Sequence, residues 1–223
     1  MIEFTAGTAI GGSVDIWNLY VKDGLVAWWD GIWNAGMGVH NASTLTWKDL
    51  SGNNNNMTMQ SGKMSWTSDS LSLSSASKPA GSIATLPLFV TMEIGFKNSA
   101  SKSALFVEYK TNAQCVASYT NGDALFKTGG KRYAATFGKR NAWSIVYNST
   151  ASAIQSVYRN GVSQSALTTS DSWGQRSTSF QIGDTGSYPP AGEICYIRLY
   201  NRALTVDEIT HNCAIDQSRF NIT

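Results

Sequence analysis

Gly192-Glu-Ile-Cys-Tyr-Ile-Arg-Leu-Tyr-Asn-Arg-Ala-Leu-Thr-Val-Asp-Glu-Ile209 holds a strand, a turn and a helix start in one short stretch. From Ile194 to Tyr200 the run is apolar or aromatic except for Arg198. A short apolar run of this length, bounded by turn residues, reads as a buried strand. Thr205-Val206-Asp207-Glu208 then reads as a capping box. The Thr205 hydroxyl can accept from the Glu208 amide, and the Glu208 carboxylate can reach back to the Thr205 amide. Asp207 and Glu208 also sit where a helix N-terminus favours negative charge. Val206, Ile209 and Cys213 continue as an apolar stripe at helical spacing. A short helix over about 206–214 is expected, packed on a sheet, ending where that stripe ends.

Working outward, the rest of the chain reads as strands and turns. Val90, Met92, Ile94 and Phe96 alternate with Thr91, Glu93, Gly95 and Lys97. That pattern predicts a strand with one buried face and one wet face. Leu105, Val107 and Tyr109 alternate, as do Cys115, Ala117 and Tyr119, and then Trp143, Ile145 and Tyr147. Ile154, Ser156 and Tyr158 lead into Asn160-Gly161, a hairpin turn signal, and Asn121-Gly122 is another. Phe180 and Ile182 precede Gly183-Asp184, and Leu25 to Trp29 forms a β-rich run ended by Asp30-Gly31. The adjacent Trp28 and Trp29 must point to opposite faces of their strand; one belongs to the core and the other to packing on the second face. Residues 50–56, Leu-Ser-Gly-Asn-Asn-Asn-Asn, form a turn cluster. Residues 1–23 read as a lead-in or attachment segment broken by Gly7, Gly11 and Gly12, and residues 24–223 as one domain.

Composition narrows the function. At 223 residues the chain suits one β-sandwich and is long enough to bury a core without disulfides or metals. A net charge of +2, with dispersed basic residues, argues against nucleic acid as a partner. No apolar run approaches the ~18 residues of a membrane span. The start, Met1-Ile2-Glu3-Phe4-Thr5, lacks the pattern of a secretory signal. Removal of a signal, or release by lysis as a virion component, would each fit a protein acting outside the cell, on a cell surface or on a virion. Cys115, Cys195 and Cys213 show no metal or redox spacing. Cys195 reads as an inert buried thiol, with a bridge to Cys213 left open.

Two segments together carry a family resemblance: Gly24-Leu-Val-Ala-Trp-Trp-Asp30 followed by Trp47-Lys-Asp-Leu-Ser-Gly-Asn-Asn-Asn-Asn56, and the 192–209 stretch. They resemble the two ends of a laminin-G-like, concanavalin A-like lectin/glucanase domain. Ala142-Trp-Ser-Ile-Val-Tyr147 and Val157-Tyr-Arg-Asn-Gly161 resemble that family's paired central strands. The resemblance covers about residues 24–214. It implies an all-β fold, a two-sheet antiparallel jelly-roll sandwich with a short C-terminal helix. The family includes lectins, carbohydrate-binding modules, adhesion domains, virion proteins and some glycoside hydrolases, so function must be argued from sites.

Glycoside hydrolysis needs two carboxylates about 5–9.5 Å apart. The family's glucanases carry Glu-x-Asp-x-x-Glu or close variants on one strand; no such spacing occurs here. Glu93, Glu108 and Glu193 stand alone on their strands, and Asp207-Glu208 is explained by capping. The histidines are His40 and His211, and neither a nucleophile elbow, a zinc motif nor a phosphate loop is present. The chain is therefore expected to be a non-enzyme. A hydrolase with carboxylates on separate strands stays open.

Binding has its own signals. Trp33, Trp66, Trp173 and Tyr188 sit in stretches rich in Gly, Ser, Asn and Pro that read as loops. Loop aromatics can stack on the C–H-rich faces of sugars; the competing reading is that each closes an end of the sandwich. The resemblance implies calcium, for which Asp30, Asp49, Asn53 and Asp184 are the candidate ligands beside glycine turns. The same Asp and Asn residues are also what a metal-free turn needs. The expected partner is a glycan or surface polysaccharide. Other structural proteins of a phage virion or cell-surface assembly are the alternative.

Overall fold

The structure is a computed structural model that describes residues 16–74, 79–99, 104–108, 113–118, 123–126, 131–135, 137–147, 153–167, 178–183 and 191–223. The strands in chain order are β1 (Leu25–Asp30), β2 (Thr46–Trp47), β3 (Met57–Met59), β4 (Ser65–Trp66), β5 (Leu71–Leu73), β6 (Gly81–Ile83), β7 (Thr91–Asn98) and β8 (Ala104–Glu108). They continue as β9 (Ala113–Ser118), β10 (Ala124–Phe126), β11 (Lys131–Tyr133), β12 (Arg140–Tyr147), β13 (Ile154–Arg159), β14 (Val162–Ser163), β15 (Phe180–Ile182) and β16 (Gly192–Tyr200). A helix, α1 (Val206–Phe220), closes the chain.

Two antiparallel sheets result. The first runs β14-β13-β12-β7-β16-β5-β4, with β1 also paired to β16; the second runs β11-β10-β9-β8-β15-β6-β3-β2. Trp29, Trp47, Met92, Ile94, Phe96, Trp143, Ile145, Tyr147, Phe180 and Ile182 fill the space between them. Asn160 and Gly161 turn β13 into β14 with φ of 51° and 79°. Two left-handed residues in a two-residue loop suit the twist of the flanking strands. The turn at Asn121-Gly122 lies outside the described residues.

β16 departs from simple alternation. Ile194, Ile197 and Leu199 all face the core. A register shift between Ile194 and Tyr196 changes the phase, and Cys195 and Tyr196 both join the cluster on the outer side. A bulge of this kind inserts one residue and re-aims the side chains that follow. Tyr196 lies across Gly95 of β7, where an added Cβ would stand 2.4 Å from the ring. Glycine in the middle of β7 is thus required by close approach rather than by a turn.

The face of β7 expected to be wet is buried. Thr91 and Glu93 are 0 % and 2 % exposed. Helix α1 lies over this side of the first sheet and buries Ile209, Asn212, Cys213, Asp216 and Phe220. The helix also runs six residues past the expected end at 214, to Phe220, and stops at Asn221 in the left-handed conformation. The apolar stripe reads as ending near 214 because its next buried member, Asp216, is polar, as is Asn212 within it. Asn212 and Asp216 are buried with 0 % and 1 % exposure because they bind charged groups of the sheet.

Residues 16–23 are built into this layer. Tyr20 is 3 % exposed and meets Trp28 edge-on, with ring centroids 5.0 Å apart. The Val21 amide donates to Asn212 Oδ1 at 3.1 Å, and the Tyr200 hydroxyl donates to the Val21 carbonyl at 3.2 Å. Trp28 and Trp29 are both fully buried, Trp29 between the sheets and Trp28 beneath this segment. Cys195 and Cys213 are both buried and free, so no bridge joins them. Burial pushes both thiols up, Cys213 to about 12.

The capping box forms as expected, with Glu208 N–H donating to Thr205 Oγ1 and the Thr205 amide donating to Glu208 Oε2. Thr205→Ala is expected to cost about 0.5–2 kcal/mol in urea denaturation. Arg202 adds a fork to Glu208 at 2.9 and 2.6 Å. Chiefly through Arg202, the Glu208 carboxyl is held down from its ordinary 4.5 to about 2. A depressed carboxyl stabilises the fold above its ordinary value and loses that contribution as pH falls through the folded value. Part of the thermal stability should therefore be lost between pH 4.5 and about 2. Glu208→Gln should show a smaller loss over that range; the difference is modest because the pair is only half-buried and water screens it.

Candidate functional site

On the outer side of the first sheet a charged cluster is buried beneath α1. Arg198 Nε donates to Glu93 Oε2 at 2.9 Å and Nη1 to Asp216 Oδ1 at 2.9 Å, with Nη2 also on Asp216. Asn212 Nδ2 donates to Glu93 Oε2 at 3.0 Å, and the Tyr20 hydroxyl donates to Asp216 Oδ1 at 2.7 Å. The Tyr20 and Tyr196 rings each lie 4.3 Å from the guanidinium carbon. Burial pushes the Glu93 carboxyl above its ordinary range, partly offset by Arg198. Burial pulls the Arg198 guanidinium down, and Asp216 and Glu93 more than reverse this. Glu93 and Asp216 are two carboxylates on separate elements, yet they flank one cation at 2 % and 1 % exposure. The arrangement binds the helix to the sheet and keeps both carboxylates closed to solvent.

Of the aromatics selected from sequence, the two described ones, Trp66 and Trp33, fall in different clusters. Trp66 is a core residue, 8 % exposed, edge-on to Trp47 at 5.2 Å, with its indole N–H donating to the Thr44 carbonyl at 3.0 Å. Its loop-like neighbours conceal the short strand β4, which turns the ring inward. Trp33 is half-buried on the other side of the first sheet, packed against the cluster of Tyr20, Trp28 and Leu50. The Arg219 guanidinium lies 4.9 Å from its ring centre. Trp173 and Tyr188 lie outside the described residues.

Two described members of the calcium set, Asp30 and Asp49, already accept from protein donors. Asp30 Oδ1 accepts from the Ile32 and Trp33 amides, and Asp30 Oδ2 pairs with Arg219 at 2.6 Å. Asp49 accepts from the Trp28, Ser51 and Asn55 amides and from the Ser51 hydroxyl, shaping the turn that follows it. The Asn53 side-chain amide donates to the Leu25 and Val26 carbonyls. A calcium ion takes six to eight oxygens; of these three residues Asp30 and Asp49 spend oxygens on backbone amides and, for Asp30, on Arg219. Asp184 lies outside the described residues, among which no group of three or more His, Cys, Asp or Glu could hold a metal ion.

The second sheet differs. β2, β3, β6 and β15 place Trp47, Met57, Met59, Ile83, Phe180 and Ile182 in the core. Alternation turns Thr46, Thr58, Ser82 and Gln181 to the outer face. Register aligns them into one row: Thr46 opposite Thr58, Thr58 opposite Ser82, Ser82 opposite Gln181. Strands about 4.8 Å apart make this row about 14 Å long. Thr58 is exposed, and Thr46 and Ser82 are half-buried. Beside the row lies an open depression of about 240 Å³ lined by Ser82, Ile83, Ala84, Ser179 and Phe180. The Ser179 hydroxyl donates to the Ala84 carbonyl at 2.7 Å. Hydroxyls and a primary amide donate and accept without bringing charge. Two traces of this row were present in the sequence, the alternations Met57-Thr58-Met59 and Phe180-Gln181-Ile182. Thr46 and Ser82 left no trace, because β2 has only two residues and Gly81 gives β6 an apolar side chain on one side of Ser82 only.

The family model described as the concanavalin A-like lectin/glucanases superfamily matches residues 50–210. No curated protein matches the chain by sequence. Among solved structures, a Trypanosoma rangeli sialidase in complex with sialic acid is similar, with TM-score 0.57, 15 % identity, 87 % of this chain covered and 33 % of the sialidase. This chain thus spans about a third of that protein. Domain 4 of AbnA, an extracellular arabinanase from Geobacillus stearothermophilus in complex with arabinotriose, gives TM-score 0.55 at 18 % identity, covering 85 % of this chain and 98 % of that one. The binding domain of botulinum neurotoxin serotype D gives TM-score 0.60 at 11 % identity, covering 87 % and 52 %. At these identities the likeness is one of fold.

Proposed function

This chain belongs to the concanavalin A-like lectin/glucanase superfamily, and we propose that within it the chain is a non-catalytic recognition domain that binds carbohydrate, outside the cell, on a cell surface or on a virion. The observation that carries the reading is the contrast between the two outer faces. One is closed by α1 and residues 16–23 over a buried ionic cluster. The other presents Thr46, Thr58 and Ser82 in register beside a depression. Neutral hydroxyls at strand spacing suit a ligand that is itself a lattice of hydroxyls. Support also comes from two similar folds solved with sugars, sialic acid in the sialidase and arabinotriose in the arabinanase domain. The non-catalytic part of the reading is supported by Glu93 and Asp216, the two carboxylates flanking Arg198, being closed in under the helix.

A glycan array run in calcium and again in EDTA tests this. Binding to one group of glycans is expected. Binding to none in either buffer removes the carbohydrate reading and leaves a structural or adhesion role in a virion or surface assembly. Reducing sugar released from a bound polysaccharide would instead establish a hydrolase. Loss of binding in EDTA would give calcium a role through residues other than Asp30 and Asp49 as they stand.

A further inference from the structure

We propose that Gln181 is the residue that reads a neutral ligand on the outer face of the second sheet, through a pair of adjacent hydroxyls. The proposal rests on the carbohydrate reading and assigns a residue and a chemical class within it. Phe180 and Ile182 face the core, so Gln181 between them faces outward. An outward glutamine on a sandwich is ordinarily hydrated, yet Gln181 is 1 % exposed. Its Oε1 and Nε2 are both shielded from solvent, and neither has a hydrogen-bond partner among the described residues. A buried amide with both ends unpaired lowers stability relative to an apolar side chain of the same shape. Retention of such a group calls for an explanation outside the folded chain itself.

Trp143 Nε1 is unpartnered among the described residues as well, but that ring sits between the sheets, where no ligand arrives. Gln181 is placed otherwise. Its register partner is Ser82, which lines the depression. Directly opposed side chains on neighbouring strands stand about 5 Å apart. Rotation about the glutamine's own side-chain bonds can therefore bring its amide to a ligand lodged there. A primary amide offers an acceptor and a donor side by side. Two vicinal hydroxyls of a sugar, one donating and one accepting, complete both. Thr46, Thr58, Ser82 and Ser179 bring no charge to the surroundings, so a carboxylate- or sulfate-bearing sugar would find no counter-ion in the row.

The test compares wild type with Gln181→Met, close in shape but without the amide. Binding is measured by calorimetry with arabinotriose and with the neutral oligosaccharides that score on the array; folding is followed by thermal unfolding. The expected result is a rise in the midpoint of unfolding together with at least about a tenfold loss of affinity, the value of two lost hydrogen bonds. Affinity kept within about twofold by a folded Gln181→Met overturns the assignment and leaves the carbohydrate reading standing. Wild-type binding confined to sialylated or sulfated glycans overturns the ligand class. No binding by the wild type to any probe overturns the carbohydrate reading and this assignment together. Should Gln181→Met fail to fold, Ser82→Ala carries the same test: a loss of at least about threefold supports the site, and unchanged affinity overturns it.

Discussion

Arg198→Met is expected to destabilise the protein by about 3–5 kcal/mol. The side chain is fully buried, and it answers two carboxylates, Glu93 and Asp216, that are buried with it. Removing the cation leaves both in a medium that solvates charge poorly, with Asn212, Ser144 and Tyr20 as the remaining donors among the described residues. The loss comes chiefly from what is stranded rather than from the contact itself. A triple replacement, Glu93→Leu with Arg198→Met and Asp216→Leu, should therefore recover most of the lost stability, since apolar side chains of similar volume often replace a buried ionic group without penalty. Urea denaturation of the single and triple variants checks both statements. A single variant within about 1 kcal/mol of wild type would mean that water reaches these groups. Detachment of α1 and residues 16–23 should accompany the single variant, because Asp216, Asn212 and Tyr20 hold both to the sheet.

The second large effect is expected between the sheets. Trp143 is fully buried, lies nearly parallel to Phe96 at 6.3 Å and meets Phe126 edge-on at 5.1 Å. Trp143→Ala should cost about 3–5 kcal/mol, through lost contacts and the cavity left at the centre of the first sheet. Trp143→Phe should cost far less, because the indole N–H has no partner among the described residues and its loss breaks no hydrogen bond. Chemical denaturation of the pair separates ring volume from the N–H group. Equal losses in the two variants would show that the indole nitrogen matters.

These two predictions concern residues that differ in how openly the sequence displays them. Trp143 sits in a clean alternation with Ile145 and Tyr147, and all three face the core. Arg198 looked like a lone interruption of an apolar strand, and Glu93 like an isolated acid on a wet face. Nothing local relates position 93 to positions 198 and 216. Their meeting depends on β7 pairing with β16 and on α1 folding back across both. Trp66 misled for the opposite reason. Its polar neighbours resemble a loop, while a two-residue strand and a hydrogen bond from its indole to Thr44 place it in the core.

By itself the sequence determined the features that depend on neighbours a few residues apart. These are the strands with a period of two, the Asn160-Gly161 turn, the Thr205–Glu208 capping box and, through the 192–209 stretch, the sandwich family. Local sterics and hydrogen bonding decide such features, and residue order encodes them directly. The tertiary structure alone decided which outer face was sealed and which kept its hydroxyls in reach. It also decided that α1 continues through the buried polar residues Asn212 and Asp216. It drew Thr46, Thr58, Ser82 and Gln181 into one row from strands far apart in the chain. Burial and register depend on which elements meet. A polar side chain reads as exposed until its partner, contributed by a distant part of the chain, is placed beside it.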